Sequence, residues 1–186
     1  MSNILYANHN DSHVLKFVGD VRVTLGPTLS NFLKTMSRNS DGRSIIIDLT
    51  ETTSIDSTAL GFLAKISLHF QKFQGSKPTI ISTNPEITRI LLNMGFDSIF
   101  IISESVILQC SDLAELPTQG ASEPELREQV LDAHRTLMKL NGKNKACFMN
   151  LVEALECEKQ NEKLNEEKKE TKSDKSRTTN AIRKAS

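Results

Sequence analysis

Asp56, Ser57 and Thr58 bring a carboxylate and two hydroxyls to a point where the pattern of the chain changes. Before them runs an apolar stretch, Ile45 to Ile47, closed by Asp48 and Leu49, with the composition of a strand covered on both faces. A polar connection follows, and then Leu60, Leu63, Ile66 and Phe70 recur at helical spacing. The hydroxyls therefore open a helix, where free backbone N–H groups and the helix dipole favour an anion. Ser57 can carry a phosphate there, and such a change of charge would rewrite a binding surface. A plain structural role suits the same residues, since Asp56 or Ser57 can cap the helix.

The other reactive side chains form no catalytic constellation. His9, His13, His69 and His134 are scattered without a pair at metal-binding spacing, and His134 falls in an apolar seam as a packed histidine would. Asp48, Glu51 and Asp56 make a carboxylate group in sequence, yet no base or oxyanion partner accompanies them. No glycine-rich phosphate loop follows a strand. Cys110, Cys147 and Cys157 are odd in number and widely spaced, which fits a reducing cytoplasm and offers no metal site. The expectation is a protein that is not an enzyme and needs no cofactor or metal.

Composition sets outer bounds. The 186 residues leave room for one domain with an extension, or two small domains. With 23 basic and 23 acidic residues, no global field draws the chain to nucleic acid or membrane. No apolar run reaches the length of a membrane span, and Met1 to Ala7 lacks the regions of a signal peptide. A cytoplasmic location is expected.

The elements that position Ser57 can be read from the pattern. Ile4–Ala7 and Val14–Val18 read as a first pair of strands around a turn at Asn8–Ser12. Leu29, Phe32, Leu33 and Met36 give a helix after Gly26 and Pro27. The strand at 45–49 and the helix from Ser57 to about Gln74 come next, then a strand at Thr79–Ser82. Asn84, Pro85 and Glu86 spell a helix start, and Gly95 is a natural stop. Ser98–Ile102 reads as the last strand, so the alternation specifies an α/β sheet.

Beyond Leu108 the composition shifts. Residues 111–121 read as a linker, and Ser122 to Glu125 spells a capping box. Leu126, Val130, Ala133, Leu137 and Leu140 make a narrow apolar seam, broken at Asn141 and Gly142 and resumed by Phe148, Leu151, Val152 and Leu155. Residues 122–164 are thus a helical hairpin or one bent helix. Docking on the sheet, binding a partner and pairing with a second copy are all open to it. Residues 165–186 lack apolar anchors and read as disordered.

The strand, the run Asp56-Ser57-Thr58-Ala59-Leu60-Gly61 and the helix together resemble the signature of the STAS domain, the fold of bacterial anti-sigma factor antagonists. Val18 to Val21 looks like the Gly-acidic-aliphatic element that ends the family's second strand, and Asn93 to Ile101 looks like its closing segment. The resemblance covers about residues 3 to 108. Two residues depart from it: Arg22 stands where the family often has Asp, and Ala59 where it usually has Gly. Arg22 can alter the charge a partner meets, pair with a phosphate, or simply be a solvated loop residue.

The resemblance implies a STAS-type sandwich, a mixed sheet covered by helices over residues 1–110, with a C-terminal helical extension. It further implies a switch protein that binds an anti-sigma factor or a serine kinase regulator while Ser57 is unmodified. Phosphorylation of Ser57 would release that partner, and a metal-dependent serine/threonine phosphatase would reverse the change. The binding surface implied takes in Asp20, Arg22, Asp56, Ser57, Thr58, Leu60, Gly61 and Asn84. The alternative is a constitutive STAS scaffold subunit of a larger complex, such as a lipid-transport ABC assembly. Neither reading calls for nucleic acid or membrane insertion, and the C-terminal helices leave a homodimer open.

Overall fold

The structure, a computed structural model, describes residues 2–9, 12–38, 43–104 and 112–161. Two strands open the chain, β1 (Asn3–His9) and β2 (Ser12–Val21), paired antiparallel from Asn3↔Val18 to His9↔Ser12. After a single 3-10 turn, Val23–Leu25, come α1 (Gly26–Arg38), β3 (Ser44–Ile55), α2 (Ser57–Gln74), β4 (Thr79–Ile81) and α3 (Pro85–Asn93). β5 (Ile101–Ser103), β6 (Ala114–Glu115) and α4 (Glu123–Leu140) follow. The six strands form one mixed sheet in the order β5-β4-β3-β2-β1-β6, parallel from β5 to β2 and antiparallel on either side of β1.

The core follows from the alternation along the strands. Ile45, Ile47 and Leu49 of β3 join Leu15 and Phe17 of β2, Leu29 of α1, Leu63 of α2 and Leu91 of α3 in one buried cluster. Full burial of each such side chain stabilises the fold by about 1.5–3 kcal/mol. The helices begin where local chemistry starts them. Asn84 accepts a hydrogen bond from the Glu86 N–H, and Pro85 opens α3 where a missing N–H costs nothing. Gly95 ends that helix at φ 77°, a left-handed conformation that a Cβ would disfavour.

Two elements differ from their sequence expectation. β3 does not end at Leu49 but runs on to Ile55, through residues expected as a polar connection. Its polar stretch is held by the long β2, whose register carries on to Val21↔Ile55 across two shifts, the second at Gly19, which has φ 77°. The last strand begins at Ile101 rather than Ser98, because Phe96–Ser98 close into a 3-10 turn that stacks Phe96 on the buried Phe100. The stretch expected as a linker also adds a strand. Tyr6 pairs with Ala114 and Leu5 with Glu115, while the Gln119 N–H donates to the Thr28 hydroxyl.

The chain divides into two compact units, Met1–Phe148 and Met149–Ser186. In the first, α4 starts at a capping box in which the Glu125 carboxylate accepts the Ser122 N–H at 2.8 Å. It stops at Asn141, whose backbone is extended and whose side-chain oxygen caps the next helical turn through the Asn144 N–H. The buried Asn144 amide donates to the carbonyls of Met94 (2.9 Å) and Leu137 (3.1 Å), tying the end of α4 to the end of α3. In the second unit, residues 149–161 are helical. Cys110, the expected domain end at 110, the helical segment's end at Leu164 and the tail 165–186 lie outside the described residues.

Asn144→Ala removes the side-chain donor to the Leu137 carbonyl and one of the two to the Met94 carbonyl, which keeps the Asn141 amide at 3.3 Å. Urea unfolding of the full chain should show a loss of about 1–3 kcal/mol, the cost of stranding a buried acceptor. An unchanged midpoint would show that the tie carries no stability.

Candidate functional site

The end of β3 and the start of α2 are fixed by one carboxylate. Asp56 is extended, at φ −91°, and its Oδ1 accepts the Ala59 N–H at 2.7 Å, which makes it the N-cap of α2. Its Oδ2 accepts the Val23 N–H at 3.0 Å, and its own N–H donates to the Val21 carbonyl at 3.1 Å. The loop after β2 and the first turn of α2 are therefore fastened to each other through Asp56. With the cap supplied by Asp56, the Ser57 hydroxyl is left for another partner.

That partner is His134 of α4, whose Nε2 lies 2.9 Å from Ser57 Oγ. The other ring nitrogen, Nδ1, lies 2.8 Å from the Val130 carbonyl, which can only accept. Nδ1 thus carries a proton, and in the neutral ring Nε2 accepts the proton of the Ser57 hydroxyl. The ring is 2% exposed and meets Phe148 edge-on at 5.1 Å. Sequence reading placed His134 among packed histidines and did not connect it to Ser57. One signal was present, the small Ala133 beside it in the seam, matched by the small Gly61 one turn after Ser57.

Gly61 marks the closest approach of the two helices. A Cβ added there would stand 2.5 Å from the Ala133 carbonyl oxygen and 2.6 Å from the Ala133 Cβ. One turn further along α2, the Lys65 ammonium pairs with Asp132. Leu60, at 2% exposure, belongs to the core, and Thr58 is only 7% exposed. Thr58, Leu60 and Gly61, all expected in the binding surface, are buried here. Leu60 is held by the core, and α4 lies against Gly61.

The remaining residues divide by position. Asp20 accepts the hydroxyls of Ser54 (2.6 Å) and Thr53 (2.8 Å) and faces the Arg22 guanidinium at 3.6 Å. These hydrogen bonds, Ser54's first, and then the Arg22 charge hold the Asp20 carboxyl below the ordinary carboxylate value. Arg22 is 62% exposed, and the residue after it is bound to Asp56. Asp20, Arg22, Asp56 and Ser57 thus share one edge of the sheet. Asn84 stands apart, because β4 pairs with β3 only at Ile46–Asp48, well before β3 reaches Ile55 and Ser57. Asp48 and Glu51 do not join Asp56 either, since both are ion-paired with Lys16. Among the described residues, no group of three or more His, Cys, Asp or Glu side chains is placed to hold a metal ion. Nor, among them, is any helix long and apolar enough to cross a membrane.

The model of the STAS domain matches residues 7–108. An anti-sigma factor antagonist from Mycobacterium paratuberculosis is similar in structure, at 19% identity and a TM-score of 0.47, over 57% of this chain and 88% of that one. The anti-sigma factor antagonist SpoIIAA in its unphosphorylated form is similar at 10% identity and a TM-score of 0.43, over 55% of this chain and 87% of that one. No relative among the curated proteins matches the sequence.

Asp20 gives this edge a dependence on acid. A carboxyl with a lowered folded value stabilises the fold above the ordinary value of 3.8, and that contribution is lost as pH falls through the lowered value. Carboxyl NMR should place the Asp20 midpoint below 3.8, and Asp20→Asn should flatten the acid limb of the stability curve. A midpoint at or above 3.8 would mean that the hydroxyls of Ser54 and Thr53 do not favour the charged form.

Proposed function

The chain belongs to the STAS domain family, and from that premise we propose that it is an anti-sigma factor antagonist switched by a phosphate on Ser57. Unmodified, it binds an anti-sigma factor or a related regulator with serine kinase activity. Phosphorylated, it lets that partner go, and a metal-dependent serine/threonine phosphatase restores binding. The protein is the substrate in this cycle, supplies no catalytic residue, and acts in the bacterial cytoplasm.

One observation carries the reading. Asp56 caps α2, so Ser57 stands in the first turn with its hydroxyl outside the backbone hydrogen bonding of the helix. The dipole of α2 favours negative charge at that end. A phosphate adds about −1.5 to −2 charges next to Asp56 and to the Asp20–Arg22 pair, which is enough to change what the edge attracts. Arg22 is the nearby cation of this edge, already paired with Asp20 in the unmodified chain. The scaffold alternative draws on the Ser57–His134 hydrogen bond, which gives Ser57 a structural use without modification.

Phosphopeptide mapping from cells should find the group on Ser57 in preference to Thr58, which is buried. Affinity purification should then recover an anti-sigma factor with Ser57→Ala and less of it with Ser57→Asp, which adds about one negative charge rather than nearly two. Equal recovery by both variants would favour the scaffold.

A further inference from the structure

We propose that α4 is a latch over Ser57, and that a phosphate on Ser57 and a docked α4 exclude each other. The inference rests on the reading of Ser57 as the modified residue, and it adds that the first consequence of modification is inside the chain.

The geometry of the crossing supplies the argument. Three successive residues of α4, Asp132, Ala133 and His134, meet Lys65, Gly61 and Ser57, which lie on successive turns of α2. The helices therefore cross, and Gly61 at the crossing lets their backbones come closer than any side chain would allow. Glycine inside a helix disfavours it by about 1 kcal/mol relative to alanine, so its use here is offset by the approach it permits. With the helices this close, the space between Ser57 Oγ and α4 holds one hydrogen bond at 2.9 Å.

A phosphate does not fit the space that the docked helix leaves at Ser57. In the neutral ring the hydroxyl donates to His134 Nε2, because Nδ1 is committed to the Val130 carbonyl. In phosphorylation, Ser57 Oγ bonds to the γ-phosphorus of ATP, the bond to the bridging oxygen of ADP breaks, and the hydroxyl proton passes to the kinase's base. The product is larger by a tetrahedral group and carries about −1.5 to −2 charges, and the 2.9 Å contact leaves it no place while α4 stays docked. Attack on the γ-phosphorus also requires an open approach to Oγ, so α4 must lift before a kinase can act. The chain thus exchanges between a closed form, with Ser57 half-buried against His134, and an open form, and phosphate draws the population to the open one.

Hydrogen exchange on the full chain tests this without a kinase or partner, so its outcome is independent of the pull-down above. Phosphoserine placed at position 57 by codon expansion should raise exchange in α4 at least tenfold while β2 and β3 keep their protection. Gly61→Ala and His134→Ala should each loosen α4 in the same selective way without any phosphate. Unchanged protection of α4 in the phosphoserine chain would overturn the latch, since phosphate and docked helix would then coexist. Equal loss of protection in α4, β2 and β3 would overturn it too, because the opening would be global unfolding. In either case the anti-sigma reading would still stand or fall by partner recovery.

Discussion

Every feature of the candidate site hangs on the two hydrogen bonds that the Asp56 carboxylate accepts. One oxygen closes the first turn of α2 through Ala59, and the other reaches across to Val23 in the loop after β2. A shorter or uncharged side chain could do one of these, but not both with the strength that an ionised acceptor brings. The double bond sets the direction of α2 as it leaves the sheet. That direction places Ser57 toward α4 and Leu60 toward the core.

The same economy of polar groups explains the unusual length of β3. Thr53 is exposed and Ser54 half-buried, and a strand accommodates their hydroxyls best where an acceptor stands beside them. Asp20 on the neighbouring strand accepts both, and the Thr52 hydroxyl donates to the Phe17 carbonyl. The polar stretch is thereby satisfied across the β2–β3 pair, and the shifts of register absorb the extra residues. The site edge is a ladder of hydroxyl-to-carboxylate bonds as much as a loop.

What could be read in the sequence was what local chemistry decides. The first hairpin, the span of α2, the Asn84–Pro85 start of α3 and the stop at Gly95 follow from periodicity, capping and turn residues close together in the chain. The extension of β3 to Ile55 was not legible, because it depends on a partner strand more than thirty residues away. The Ser57–His134 contact joins residues 77 positions apart, and a lone histidine in an apolar seam carries no local mark of what it will meet. Leu60 and Gly61 entered the expected binding surface through the family motif, whereas the burial of Gly61 is set by a helix outside that motif. Asn84 joined Ser57 in the expected surface through the resemblance, and β4, which precedes it, pairs with β3 only at Ile46–Asp48.

The sheet is long in the middle and short at its rims. β2 and β3 have 10 and 12 residues, whereas β5 has three and β6 only two. Among the described residues, β5 and β6 themselves offer another strand only a few backbone groups to grip, too few for cooperative pairing to set in. Fibre-like stacking and strand exchange are disfavoured at these rims by shortness rather than by charge. An encounter at either of these two strands is accordingly steered away from backbone ladders and toward side chains.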